Sequence, residues 1–240
     1  MSSHEPLNRS AALVLFCRKP VSGAGKRRLA QYIGDARTLA VAQGLLECAL
    51  EDVAAWPHTL IIAPAAAADE HWAAQLICRP VRVVPQPAGS LGERIAAVDT
   101  RVRAHGCTQV LFIGSDAPSM RTEDLLAAHA ALADSDVVLI PAADGGVTLM
   151  GARVPWPELT DLPWSEATLG AALADRCLQA GHTVTRLQES YDVDTPADLI
   201  LARQRLQHDP RPARRHLYAL LGTIVQSQAD AAGSCAARGA

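Results

Sequence analysis

Lys26 stands between a glycine and an arginine in the stretch "CRKPVSGAGKRRLA" (17–30), which has the chemistry of a phosphate-binding turn. Gly23 and Gly25 let backbone approach a ligand closely, and Arg18, Lys19, Lys26, Arg27 and Arg28 surround the turn with positive charge. The chain has 22 basic residues, yet Lys19 and Lys26 are its only lysines. A compact ammonium acts as a point charge on phosphate, so a lysine at a glycine-flanked turn of an arginine-rich chain points to a di- or triphosphate. The stretch is not a P-loop of the G-x-x-x-x-G-K-[ST] type. Pro20 stands where its first glycine belongs, and Arg27 where its magnesium-binding hydroxyl belongs. The competing reading is a solvated basic loop.

Such a phosphate travels with Mg²⁺, which needs one or two carboxylates and takes its remaining ligands from water and phosphate. Asp116 in "VLFIGSDAPSM" (110–120) is the first candidate. It follows an apolar strand in a turn shaped by Gly114 and Pro118, and Thr122 is expected to cap the next helix. Asp192 and Asp194 in "YDVDTPADL" (191–199) are two apart, so an extended segment presents them on one side. One of them could complete the metal shell, or both serve as helix-entry acids. Asp144-Gly145-Gly146 reads either as a hairpin turn or as a place where a sugar lies against backbone with Asp144 on a hydroxyl. Other chemistries find no support. There is no G-x-S-x-G elbow, no H-E-x-x-H spacing among the eight histidines, and "GAGKRR" lacks the third glycine of a dinucleotide fingerprint.

The elements that must position these residues follow from short apolar runs alternating with helical stretches. Strands are expected at 11–16, 59–63, 81–86, 109–114, 136–142 and 182–188, with a short one near 146–152. Helices are expected from near Arg28 and at 38–56, 68–77, 91–106, 122–133, 165–181 and 195–207. Ser165 is the expected cap of the 165–181 helix, and Thr195 with Pro196 opens the last one. Continuous apolar strands between helices imply a mostly parallel sheet covered on both faces. One α/β domain is therefore expected over 11–207, after a disordered N-terminus (1–10). An extension over 208–240 is expected to form a helix and then a disordered tail, and to offer a possible homo-oligomer contact.

At 49% hydrophobic and 20% charged, the chain has enough apolar mass for a real core. Its formal charge of −3 argues against general nucleic-acid binding. The six cysteines form no C-x-x-C pair, which suits reduced thiols in a cytoplasmic protein. No apolar run approaches the ~20 residues of a membrane span.

Six segments in order resemble the small bacterial proteins of the nucleotide-diphospho-sugar transferase superfamily, with its GT-A fold. Its F-x-[KR]-x-P-x-x-G-x-x-K-T-R-L is similar to "FCRKPVSGAGKRRL", and Q-x-x-G-D-L-G-x-R-M to "QPAGSLGERI" (86–95). G-[ST]-D-x-P matches Gly114, Ser115, Asp116 and Pro118, and D-G-G-Y-x-L-x-G matches "DGGVTLMG" (144–151). A tryptophan-serine helix entry matches Trp164-Ser165, and D-[IV]-D-T-P-x-D-L matches "DVDTPADL" (192–199). Arg27, Ser90 and Val147 depart from the pattern, standing where the family has Thr, Asp and an aromatic.

The resemblance implies a three-layer α/β sandwich that binds a nucleotide with Mg²⁺ or Mn²⁺. Asp116 would be the metal aspartate, with Asp194 a second. Lys26, Arg18 and Arg28 would hold phosphate. Gly23, Gly25 and Ser115 would line the nucleotide site, with Gly92 in the segment beside it. Asp144 would orient or deprotonate an acceptor. Two activities fit: a glycosyltransferase using a nucleotide-sugar and a small-molecule acceptor, or a nucleotidyltransferase using an NTP and a phosphorylated substrate. The basic K-x-R-L signature is also similar to that of 2-phospholactate guanylyltransferases. A non-catalytic nucleotide-binding protein is the third reading.

Overall fold

Apolar runs bounded by turn residues become seven strands: β1 (Ala11–Cys17), β2 (Thr59–Pro64), β3 (Arg82–Val83), β4 (Gln109–Ile113), β5 (Val137–Pro141), β6 (Val147–Ala152) and β7 (Val184–Arg186). The helices are α1 (Arg27–Ile33), α2 (Asp35–Ala54), α3 (Glu70–Ala74), α4 (Leu91–Ala104), α5 (Thr122–Ala131), α6 (Leu169–Gln179), α7 (Pro196–Leu206) and α8 (Pro212–Ala236). The computed structural model describes the backbone of residues 11–236 and the side chains of residues 11–228. The expected disorder of residues 1–10 lies outside the described residues.

The strands form one sheet in the order β3-β2-β1-β4-β6-β5-β7. Only β6 runs antiparallel to its neighbours, β4 and β5. β1 lies at the centre, Val14 opposite Ile61 of β2 and Phe112 of β4. Both faces are covered, which is why the central strand β1 is apolar at every position rather than at alternate ones. Ala12, Val14, Val110, Phe112, Leu139 and Met150 pack on one face against Ile95 and Val98 of α4 and Leu173 and Cys177 of α6. On the other face Leu111, Val138 and Leu132, just after α5, close over Gly151. The result is the expected α/β sandwich around a mostly parallel sheet.

Contacts divide the chain into two compact units of interleaved segments, where one domain was expected over 11–207. The first holds the sheet and comprises Met1–Lys19, Asp52–Ser115 and Met120–Tyr191. The second comprises Pro20–Glu51, Asp116–Ser119 and Asp192–Ala240. In this second unit Leu217 of α8 fills the space beside Gly44 of α2, its Cδ1 3.2 Å from where a Cβ would stand. Leu217, Leu221 and Ile224 form the buried stripe of α8. The extension beyond residue 207 therefore belongs to the core of a unit. α8 also continues through Ala236, so the tail expected to be disordered from Ser227 is helical up to that residue.

Local chemistry explains the other differences. β3 is two residues long instead of six. Val84 and Gln86 still bond to the carbonyls of Ile62 and Pro64. The helix expected at 68–77 is a 3₁₀ turn (Ala67–Asp69) leading into α3. α6 begins at Leu169 with Thr168 at its cap. Ser165, the expected cap, has φ 71° inside the preceding turn. Arg121 rather than Thr122 holds the cap position of α5, and the Thr122 hydroxyl donates to the Asp52 carbonyl. Thr195 caps α7 as expected, in a reciprocal box with Asp198.

Candidate functional site

Beyond β1 the chain turns on Gly23 and Gly25, both at φ 76°, and then on Lys26 at φ 40°, ψ 46°. The two glycines take this left-handed region without penalty. Lysine there costs about 1–2 kcal/mol, so its position must be held by other contacts. Those contacts are on its ammonium. Lys26 Nζ donates to the Val193 carbonyl at 2.6 Å and lies 3.1 Å from both Asp116 Oδ1 and Asp194 Oδ1. Three acceptors match the three donors of an ammonium. The Lys26 side chain is 9% exposed, while those of Asp116 and Asp194 are 45% and 55% exposed.

The two acidic segments are also laced to each other. The Val193 N–H donates to the Asp116 carbonyl at 3.0 Å. Asp198 accepts from the Asp194 and Thr195 N–H groups, at 3.0 and 2.7 Å, and so fixes the turn into α7. Lys26 was expected to hold phosphate, and Asp116 and Asp194 a metal; the structure places the three side chains in direct contact with one another. The Val193 carbonyl could not be foreseen, because a backbone acceptor leaves no mark on residue type.

Burial pulls the Lys26 ammonium down, but the charges of Asp116 and Asp194 and their hydrogen bonds outweigh it, so the group lies above the ordinary lysine value of 10.5. A folded-state value above the unfolded one stabilises the fold at every pH below the unfolded value. That contribution is lost as pH rises through the folded value. Thermal melts are therefore expected to show an alkaline fall in Tm above about pH 10.5 that Lys26→Met removes. An unchanged alkaline limb in the variant contradicts the assignment.

The cluster fits a hard divalent cation delivered with phosphate. It offers two carboxylates whose remaining oxygens reach solvent, and Mg²⁺ or Mn²⁺ uses one or two such groups beside water and phosphate oxygens. It does not fit a cation held by protein alone. Among the described residues no group of three or more His, Cys, Asp or Glu side chains is placed to hold a metal.

The remaining candidates have distinct surroundings. Arg28 is exposed in the same unit as Lys26. Arg18, also exposed, and Ser115, half-buried, belong to the sheet unit at the ends of β1 and β4. Lys19 lies 4.0 Å from Asp69. Asp144 is exposed and accepts the Gly146 N–H at 2.9 Å, stabilising its own turn. Gly145 is required there for packing: φ is 90°, and a Cβ would lie 1.9 Å from the Ala167 carbonyl oxygen.

Gly92, expected beside the nucleotide, is buried in α4, where a Cβ would lie 2.4 Å from the Leu159 carbonyl and 2.7 Å from Trp164 Nε1. Packing accounts for that glycine without a ligand. Ser90 caps α4 in a reciprocal box with Glu93, a task an aspartate also performs, so this departure leaves the helix entry intact. Among the described residues, cysteines 17, 48, 78, 107 and 177 form no disulfide. Burial, with the Asp69 charge adding to it, pushes the Cys17 thiol up to about 12. Such a group is neutral and unreactive at ordinary pH.

Residues 47–166, half of the chain, match the profile of a bacterial family described as "Uncharacterized protein conserved in bacteria (DUF2064)". The chain belongs to this family. No curated protein matches this DUF2064 chain in sequence.

Solved structures share the fold of this DUF2064 protein. A protein from Desulfovibrio desulfuricans G20, whose nucleotide-diphospho-sugar transferase name is provisional, superposes with a TM-score of 0.80 at 24% identity, over 91% of this chain and 98% of that one. The 4-diphosphocytidyl-2C-methyl-D-erythritol synthase of Anaerococcus prevotii DSM 20548 gives 0.53 at 14% identity, over 84% and 98%. A nucleotidyl transferase from Methanothermobacter gives 0.50 at 17% identity, over 82% and 97%. These likenesses establish the nucleotide-diphospho-sugar transferase-like fold. Among the described residues no helix is long and apolar enough to cross a membrane.

Proposed function

We propose that the protein is a transferase that binds a nucleotide through its di- or triphosphate, with Mg²⁺ or Mn²⁺ at Asp116 and Asp194. The observation that carries this reading is the convergence of Lys26 on those two aspartates from separate parts of the chain. A buried, fully bonded lysine in a left-handed turn is not an ordinary solvated basic loop. The fold shared with the Desulfovibrio protein supports a nucleotide-sugar as the donor.

In that reaction an acceptor hydroxyl attacks the anomeric carbon, the bond from that carbon to the phosphate oxygen breaks, and a nucleoside diphosphate leaves. Lys26 and Arg28 neutralise the phosphates. Asp144 takes or orients the acceptor proton through the oxygen not committed to Gly146. The divalent ion, when bound, supplies charge neutralisation at the departing phosphate.

The basic turn and the two nucleotidyl-type fold relatives favour a second reading. In it a phosphorylated substrate attacks the α-phosphorus of an NTP and pyrophosphate leaves. Positioning and charge neutralisation suffice for that chemistry as well. Product analysis separates the two. Nucleoside diphosphate formed from a nucleotide-sugar supports glycosyl transfer, and pyrophosphate formed from an NTP supports nucleotidyl transfer. Nucleotide binding with no product from either donor panel contradicts both.

A further inference from the structure

We propose that Arg214 of the C-terminal helix is a positioning residue for Asp116. The proposal rests on the reading of Asp116 as part of the nucleotide site. The Arg214 side chain has no solvent exposure. Its Nε donates to the Pro118 carbonyl at 3.0 Å, and its Nη1 donates to the Cys48 carbonyl at 2.6 Å and to Glu51 Oε2 at 2.8 Å. All these groups lie in one compact unit with Lys26, Asp116 and Asp194.

The bonds to Cys48 and Glu51 join α8 to α2, which any anchor of a terminal helix would do. The Nε bond differs, because Pro118 lies within the four-residue segment Asp116–Ser119. Proline fixes φ, so holding its carbonyl fixes the direction in which the chain leaves Asp116. On the other side the Asp116 carbonyl accepts the Val193 N–H. The aspartate is thus pinned from both directions before any ligand arrives, as preorganised electrostatic sites require. A planar guanidinium holds three acceptors in set directions, which a lysine point charge does not. A fully buried charge is tolerated because it is paired and hydrogen-bonded.

Lys26 reports on Asp116 directly, and the chain has only two lysines. In lysine-labelled protein, NMR follows the Lys26 side-chain resonances without nucleotide or turnover. Arg214→Met is expected to shift those resonances, because the ammonium loses the fixed Asp116 carboxylate. Arg214→Gln, which keeps one donor, is expected to shift them less and serves as the reading if the methionine variant does not fold.

Leu217→Ala loosens α8 beside Gly44 and leaves the guanidinium in place. It is expected to lower Tm while leaving the Lys26 signals at their wild-type positions. Wild-type Lys26 signals in a folded Arg214 variant overturn the proposal, as does an equal shift in Leu217→Ala. A protein that transfers nothing would contradict the proposed activity and leave this measurement intact, so the two failures are distinguishable.

Discussion

Lys26→Met is expected to weaken nucleotide binding about 10- to 100-fold and, at the same time, to tighten the binding of Mn²⁺ alone. The first effect is the loss of the ammonium's positive charge beside the phosphates, worth about 1.5–3 kcal/mol at the effective dielectric of a partly buried site, since its three donors are already bonded to Val193, Asp116 and Asp194. The second follows from the geometry. In the wild type one ammonium serves two carboxylates, at 3.1 Å each. Without it Asp116 and Asp194 face each other uncompensated, and a divalent cation relieves their repulsion. The carboxylates are about half exposed, so screening limits this gain to about 1 kcal/mol, a several-fold change in Kd. Effects of opposite sign in one variant separate a ligand-facing lysine from a structural one. Titration calorimetry with Mn²⁺, then with nucleotide and Mn²⁺ together, reads both. Parallel weakening of metal and nucleotide would show that the substitution merely disorders the turn.

Asp116→Asn is expected to lower metal-dependent turnover on the order of 10²–10³-fold while changing Tm little. Asparagine keeps the shape and an acceptor for Lys26 Nζ, so the lacing of this segment to Val193 survives. What is lost is one negative charge at a site where a divalent cation and transferring phosphate must be stabilised, and removing one such preorganised partner typically costs this much. The non-catalytic alternative predicts altered nucleotide binding at most, with no rate to lose. Release of nucleoside diphosphate or pyrophosphate, measured for wild type and variant at saturating metal, decides between them. A variant as active as wild type removes Asp116 from the mechanism.

Much of this arrangement was legible in residue types. β1 and β5 are apolar throughout, and β2 and β4 after their first residues, because both faces of the sheet are covered, and that pattern survives in the sequence. Gly23, Gly25 and Lys26 announced a tight basic turn, and Asp116 an acid at the end of a strand. Elements governed by tertiary packing were harder to read. β3 is short although its backbone bonding continues to Gln86, and the turn around Ser165 delays α6 to Leu169. Gly92 and Gly145 looked like ligand-facing glycines, but the carbonyls of Leu159 and Ala167 account for them. Arg214 sits in "RPARRH" beside the exposed Arg215. Nothing local distinguishes the buried arginine from its neighbour, because its acceptors at Cys48, Glu51 and Pro118 come from distant parts of the chain.

The central claim is that Lys26, Asp116 and Asp194 together receive a metal-bound nucleotide phosphate. Its most direct test is calorimetric titration of the wild-type protein with a panel of nucleoside triphosphates and nucleotide-sugars, with and without Mg²⁺ or Mn²⁺, repeated on Asp116→Asn. The account predicts that at least one nucleotide binds, that the metal strengthens binding, and that the variant loses this metal dependence. Binding that ignores both the metal and the substitution, or no binding by any nucleotide with either metal, contradicts it.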